Sequence, residues 1–64
     1  MTDKLLYSPE GAAEVLDCSR ATVYVLLASG ELESIRMGRS RRIPREALER
    51  LVADRRRSAA AVAA

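Results

Sequence analysis

The sequence predicts a mainly α domain with a small β-hairpin, in the order helix, turn, helix, strand, strand, helix. Three observations carry this. Ala12, Val15 and Leu16, then Val23, Leu26 and Leu27, repeat the i, i+3, i+4 spacing of one helical face. Around Ile35 and Met37 the apolar period drops to two, as a strand requires. The helical spacing then returns at Leu48, Leu51 and Val52. With 64 residues the chain has room for one domain, given the usual ~100–200 residues. Such a chain buries only ~60% of the surface its unfolded form exposes. Its core is expected to supply no more than ~3–5 kcal/mol of net stability.

Each element has its own signals. Ser8 is placed to cap the first helix, Pro9 fits the first helical position, and Glu10 suits the positive end of the helix dipole. Gly11 lies inside this helix, at up to ~1 kcal/mol against Ala. Leu5 and Leu6 are expected to pack beneath it. The helix stops near Asp17, and Ser19 caps a second helix after only Asp17 and Cys18. Gly30 is a stop for that helix. Two short helices joined by a tight turn read as a helix-turn-helix. Ile35 and Met37 alternate with Ser34 and Arg36 as a half-buried strand. Gly38-Arg39-Ser40 turns the chain, and Arg41-Arg42-Ile43 returns with Ile43 inward.

Pro44 is expected to open the third helix, with Glu46 and Arg50 as an i, i+4 ion pair. The ordered pattern ends at Asp54-Arg55-Arg56-Arg57, and the Ala-rich Ser58–Ala64 is assigned no structure. The expected organisation is a domain over residues 1–57 and a tail over 58–64. The expected core is Leu5, Leu6, Ala12, Val15, Leu16, Val23, Leu26, Leu27, Leu32, Ile35, Met37, Ile43, Leu48, Leu51 and Val52.

Composition removes several function classes. There is no His and one Cys, Cys18. That excludes a disulfide framework, a zinc finger and a nucleophile–His pair. No acid, base or metal constellation converges, so no enzyme, metal or cofactor is expected. No apolar run approaches ~18 residues, so no membrane span is expected. The first residues lack the apolar stretch of a signal peptide. An unpaired Cys suits a reducing cytoplasm, and Cys18 reads as a small structural thiol or a redox sensor.

The net charge of +2 says little, but its distribution says more. Residues 1–35 carry Lys4 and Arg20 against six carboxylates. Residues 36–64 carry nine Arg against Glu46, Glu49 and Asp54. A basic half on a small domain points to a polyanion. Ten of the eleven basic residues are Arg, whose planar fork suits phosphate and guanine. High Arg and Ala content also follows from GC-rich coding, which leaves the clustering unexplained.

Five segments carry a family resemblance. They are Ser8-Pro9-Glu10-Gly11-Ala12-Ala13-Glu14-Val15-Leu16, Ser19-Arg20-Ala21-Thr22-Val23-Tyr24, Ser29-Gly30-Glu31-Leu32, Ile35-Arg36-Met37-Gly38-Arg39 and Arg42-Ile43-Pro44-Arg45-Glu46-Ala47-Leu48. In this order the chain resembles the excisionase group of small winged helix-turn-helix proteins, kin to the DNA-binding domain of MerR-type regulators. The resemblance covers about residues 5–53. It implies a second helix in the DNA major groove and a wing over the adjacent minor groove. It also implies phage or mobile-element excision beside an integrase, or transcription control. The chain ends before a long dimerisation helix or effector domain, which favours the excisionase branch, whose members bind side by side and bend DNA.

Three positions depart from the family pattern. Asp17 stands where Gly is common in the turn, and Asp tolerates the left-handed conformation better than most residues. Val25 stands where a basic residue is common, and Arg41 where an aromatic is common.

With Val23, Leu26 and Leu27 inward, the second helix presents Ala21, Val25 and Ala28, flanked by Thr22 and Tyr24. Arg20 at its start can bond guanine O6 and N7, unless an ion pair with Glu14 or Asp17 holds it back. Thr22 and Tyr24 can bond phosphates, and Ala21 and Val25 can touch thymine methyls. The plainer readings are helix filler for the small residues and ring packing for Tyr24. Arg36, Arg39, Arg41 and Arg42, with Ser40, form the wing set, either solvated or against a narrow minor groove. Arg55, Arg56 and Arg57 read first as a solvated helix end.

The expected partners are double-stranded DNA, an integrase and further copies of the chain, with a nucleoid location. A small MerR-like transcriptional regulator is the nearest alternative. A protein-interaction module using Ala21, Tyr24, Val25 and Ala28 is the alternative of another class.

Overall fold

The structure, a computed structural model, describes residues 4–63, with side chains described through residue 60. The elements are β1 (Leu6–Tyr7), α1 (Pro9–Leu16), α2 (Arg20–Ser29), β2 (Ile35–Met37), β3 (Ser40–Pro44) and α3 (Arg45–Ala63). This is the expected mainly α, helix-turn-helix-strand-strand-helix chain, with one addition. β1 joins the hairpin, so the sheet order is β1-β3-β2, with both pairs antiparallel.

The helix ends follow from local chemistry. Ser8 Oγ accepts the Gly11 N–H at 3.0 Å, and Ser19 Oγ accepts the Thr22 N–H at 3.1 Å. Each hydroxyl satisfies an amide that has no partner inside its helix. Asp17 takes φ 55, ψ 49, in the left-handed region. Its N–H donates to the Glu14 carbonyl, and the Cys18 N–H reaches back to the Ala13 carbonyl at 3.0 Å. That pair of bonds is a Schellman motif, which closes α1 and redirects the chain within two residues. Cys18 packs against the core from this turn. Gly30, at φ 84, closes α2 in the same left-handed region.

The core consists of Ala12, Ala13, Val23, Leu26, Leu27, Leu32, Ile43, Ala47, Leu48 and Leu51. Ala12, Val23 and Ile43 are 0% exposed. Ala13 and Ala47 belong to it although the apolar pattern does not single them out. Small side chains carry little signal in a pattern read by bulk, yet they fit where elements pack closely.

Five residues expected in the core lie on the surface: Leu5, at 74% exposure, Val15, Ile35, Met37 and Val52. The sheet register explains two of them. Tyr7 pairs with Ile43, so these two share the inner face. Ile35 pairs with Arg42 and Met37 with Ser40, which places both on the opposite face. β2 is therefore exposed at all three positions rather than half-buried. Val15 and Val52 line an open apolar groove with Tyr7, Leu16 and Leu48. Leu5 does not lie beneath α1. Its carbonyl accepts the Arg45 N–H at 2.9 Å and extends the β1–β3 pairing. Leu6 and Leu16 are half-buried.

Three further details differ from expectation. Pro44 ends β3 and α3 begins at Arg45. Arg50 pairs with Glu33 at 3.5 Å instead of with Glu46. α3 also runs on to Ala63, through residues to which the sequence assigns no structure.

A β-branched residue at Asp17 meets the full steric penalty of φ 55, roughly 1–2 kcal/mol. Asp17→Val should lower unfolding free energy by about that amount, whereas Asp17→Gly should hold it within roughly 1 kcal/mol. Urea unfolding monitored by circular dichroism reads both.

Candidate nucleic-acid interface

The short turn at Asp17-Cys18 fixes α2 against α1 through Val23, Leu26 and Leu27, all buried. The remaining positions of α2 are turned to solvent. Ala21, Thr22 and Ala28 are exposed, Tyr24 is 48% exposed and Val25 66% exposed. Residues 21, 24, 25 and 28 follow i, i+3, i+4, i+7 spacing, so they form one continuous stripe. Val25 is a large apolar side chain turned mostly to solvent and outside the core. Thr22 has a local engagement, with its Oγ1 2.9 Å from Ser19 Oγ at the helix cap.

Arg20 is the first residue of α2. Its Nη1 donates to Glu10 Oε2 at 3.4 Å, with side-chain exposures of 63% and 56%. The sequence points to Glu14 or Asp17 as the competing carboxylate. Folding instead brings together the first turns of α1 and α2, and Asp17 is occupied as the left-handed turn residue. No sequence signal identifies Glu10, because the contact depends on how the two helices cross.

The wing is set by its turn. Met37 pairs with Ser40 across a two-residue loop, Gly38-Arg39, with Gly38 at φ 65. Gly at the first loop position is the pattern of a type II′ hairpin, whose twist matches that of its strands. Arg39 thus stands at the tip. Arg36 pairs with Arg41 across the hairpin, so two guanidinium groups share one face. Arg36, Arg39, Ser40 and Arg41 are exposed and Arg42 is half-buried. Arg42 Nη1 donates to the Arg41 carbonyl at 3.3 Å.

Ion pairs sort the arginines. Arg20 pairs with Glu10, Arg50 with Glu33, Arg55 with Glu31 at 2.9 Å, and Arg57 with Asp54. Among the described residues, none of Arg36, Arg39, Arg41 and Arg42 is paired with a carboxylate. The Arg50 and Arg55 pairs also tether the segment between α2 and β2 to α3. Leu32, 2% exposed, anchors that segment in the core, and its N–H donates to the Leu26 carbonyl. The base of the wing is held to the body while its cationic end is left open. Arg55 accordingly ties α3 to the segment before β2, and Arg57 pairs one turn back on α3. The described residues contain no cluster of acidic or Cys side chains able to hold a metal ion. No helix among them is long and apolar enough to cross a membrane.

A family model, described as a helix-turn-helix domain, matches residues 6–56. The chain belongs to the helix-turn-helix domain family. A probable excisionase of Saccharopolyspora erythraea is 47% identical over 49 residues, covering 77% of this chain and 50% of the relative. The chain spans about half the length of that curated relative. No solved structure matches. The helix-turn-helix thus corresponds to α1 and α2, and the hairpin β2–β3 is the wing that follows it. The residues proposed from the sequence to contact DNA all lie on α2 or on the wing. Among the described residues, Arg20 is the one of these tied to a carboxylate.

The exposed Arg20–Glu10 pair should matter little for folding, because such pairs contribute about 0–1 kcal/mol. Glu10→Gln should shift the unfolding free energy by no more than roughly 1 kcal/mol. Thermal melts of the two proteins check this. A larger loss would make the pair a structural brace.

Proposed function

We propose that this chain binds double-stranded DNA in a sequence-specific manner and serves as an excisionase-type accessory factor in site-specific recombination. α2 enters the major groove, and the wing follows the phosphates into the adjacent minor groove. The observation that carries the reading is the unpaired wing. Four Arg within seven residues repel one another at close range, and among the described residues no carboxylate pairs with them. A polyanion does. The exposed stripe of α2 supports the second part, since its small and apolar side chains fit base edges and thymine methyls. The 47% identity to a probable excisionase supports the role in excision. An integrase and neighbouring copies of the chain on repeated sites are the partners that this role entails, and the nucleoid is its place of action.

Within this reading the two parts have separate tasks. The wing supplies affinity, because Arg in a narrow minor groove responds to its negative potential. α2 supplies sequence choice, with Arg20 at its N-terminal end, where helix-turn-helix proteins place base contacts.

Contact with ~4–6 phosphates should give log affinity against log salt a slope of about −4 to −5. Titrating a labelled duplex at several salt concentrations measures it. A slope near zero overturns DNA binding and favours a protein-interaction module. Excision itself is read with an integrase encoded beside this chain, by adding the protein to a recombination assay.

Substitutions separate the two tasks. Arg39→Ala should weaken binding to specific and random duplex by similar factors. A loss confined to the specific site would make Arg39 a base reader. Arg20→Ala should relax preference at one G·C position, by the ~1–3 kcal/mol of a bidentate Arg–guanine contact. A panel of singly substituted sites reads this. Unchanged preference in a folded variant would remove Arg20 from recognition.

A further inference from the structure

Arg20 is a cation on the first turn of a helix, where the dipole disfavours positive charge. It is 63% exposed, on a flexible side chain. Left alone, such a side chain samples many rotamers and meets a base edge only part of the time. Glu10 changes this. It lies on the first turn of α1, whose backbone is fixed by the Ser8 cap, and its Oε2 takes only Nη1 of the guanidinium, at 3.4 Å. Among the described residues nothing else is bonded to Arg20, so its Nε and Nη2 edge stays open. That edge carries two parallel N–H donors, the pair that matches guanine O6 and N7.

We propose that Glu10 is a positioning residue for Arg20: it holds one side of the guanidinium so that the opposite edge faces the base. This rests on the reading of Arg20 as a base reader and adds a determinant of specificity outside α2. The contact does not favour general affinity, since a carboxylate close to DNA repels phosphate. Exposed pairs of this kind also add little to folding. Both points leave discrimination as its effect. Glu10 lowers the entropy lost when Arg20 docks, and it disfavours docking in poses that would break the pair.

The two components of Glu10 are separable. Its oxygen positions Arg20 as a hydrogen-bond acceptor, and its charge acts on phosphate. Glu10→Gln keeps the acceptor and removes the charge. Glu10→Ala removes both.

The test measures affinity for the best site, for that site with its guanine replaced, and for random duplex. Wild type, Glu10→Gln, Glu10→Ala, Arg20→Ala and the Glu10→Ala/Arg20→Ala double variant are compared, each checked for folding by circular dichroism. Discrimination at the guanine should fall by roughly 2- to 12-fold in Glu10→Ala, the range expected for freeing one long side chain. Glu10→Gln should retain an intermediate value. Affinity for random duplex should rise in both Glu10 variants. In the Arg20→Ala background, removing Glu10 should leave discrimination unchanged.

The failures are distinct. If wild type binds no duplex, DNA binding itself is wrong and the proposal falls with it. If Arg20→Ala relaxes preference but Glu10→Ala does not, Arg20 stands and the role of Glu10 is overturned. Losses in Glu10→Ala that are equal on specific and random duplex would make Glu10 a structural residue and also overturn it.

Discussion

Ile43 is fully buried on β3, the central strand of the sheet, and it joins the parts of this fold that must keep a fixed relation. β3 packs against both α1 and α3 and pairs with β1 on one side and β2 on the other. One end of the strand therefore lies in the core, and the other end is the wing. Ser40 and Arg41 are solvent-exposed, Arg42 is half-buried and Ile43 has no exposed surface, all within four residues. The wing is the free end of a strand whose root is clamped by hydrophobic packing. In a domain that buries so little, this economy lets one small core of described residues position both a helix and a hairpin.

Local chemistry was readable in the sequence, and relations between distant segments were not. Ser8, Ser19 and Gly30 mark helix ends because caps and left-handed stops act within a few residues of themselves. Asp17 was legible as a turn for the same reason. Ile35 and Met37 escape the sequence because alternation states that two faces differ without saying which one is inward. Only the pairing of Ile35 with Arg42 decides that, and it requires the register of the folded hairpin. β1 is two residues long and has no period to detect. The continuation of α3 has a dual origin. Ala has the highest helix propensity, and Arg55, paired with Glu31, holds the preceding turn to the body.

The candidate interface shows the same division. Amphipathic spacing alone exposes Ala21, Tyr24, Val25 and Ala28, and hairpin chemistry alone places Arg39 at a tip. Charge counting along the chain separates an acidic first half from a basic second half, but folding rearranges that division. Glu31 and Glu33 from the first half neutralise Arg55 and Arg50 from the second. Arg50, Arg55 and Arg57 are paired, while Arg36, Arg39, Arg41 and Arg42, with no carboxylate pair among the described residues, lie together on the hairpin. Sequence finds the excess of Arg, while three-dimensional pairing decides which of them can attract a polyanion.

β2 is an edge strand, with backbone donors and acceptors along one side unpaired by the sheet and with Ile35 and Met37 exposed. Such an edge is a template for pairing with another chain. Arg36 and Arg41 sit at the same register step of the hairpin, so two wings brought edge to edge would also bring their guanidinium groups together. The charge that attracts phosphate thus also acts as a guard against self-adhesion. Its reach is the Debye length, about 8 Å in physiological salt and about 3 Å at 1 M. Concentrated salt or a soluble polyanion weakens that guard, so the repulsion between two wing edges falls as the ionic strength rises.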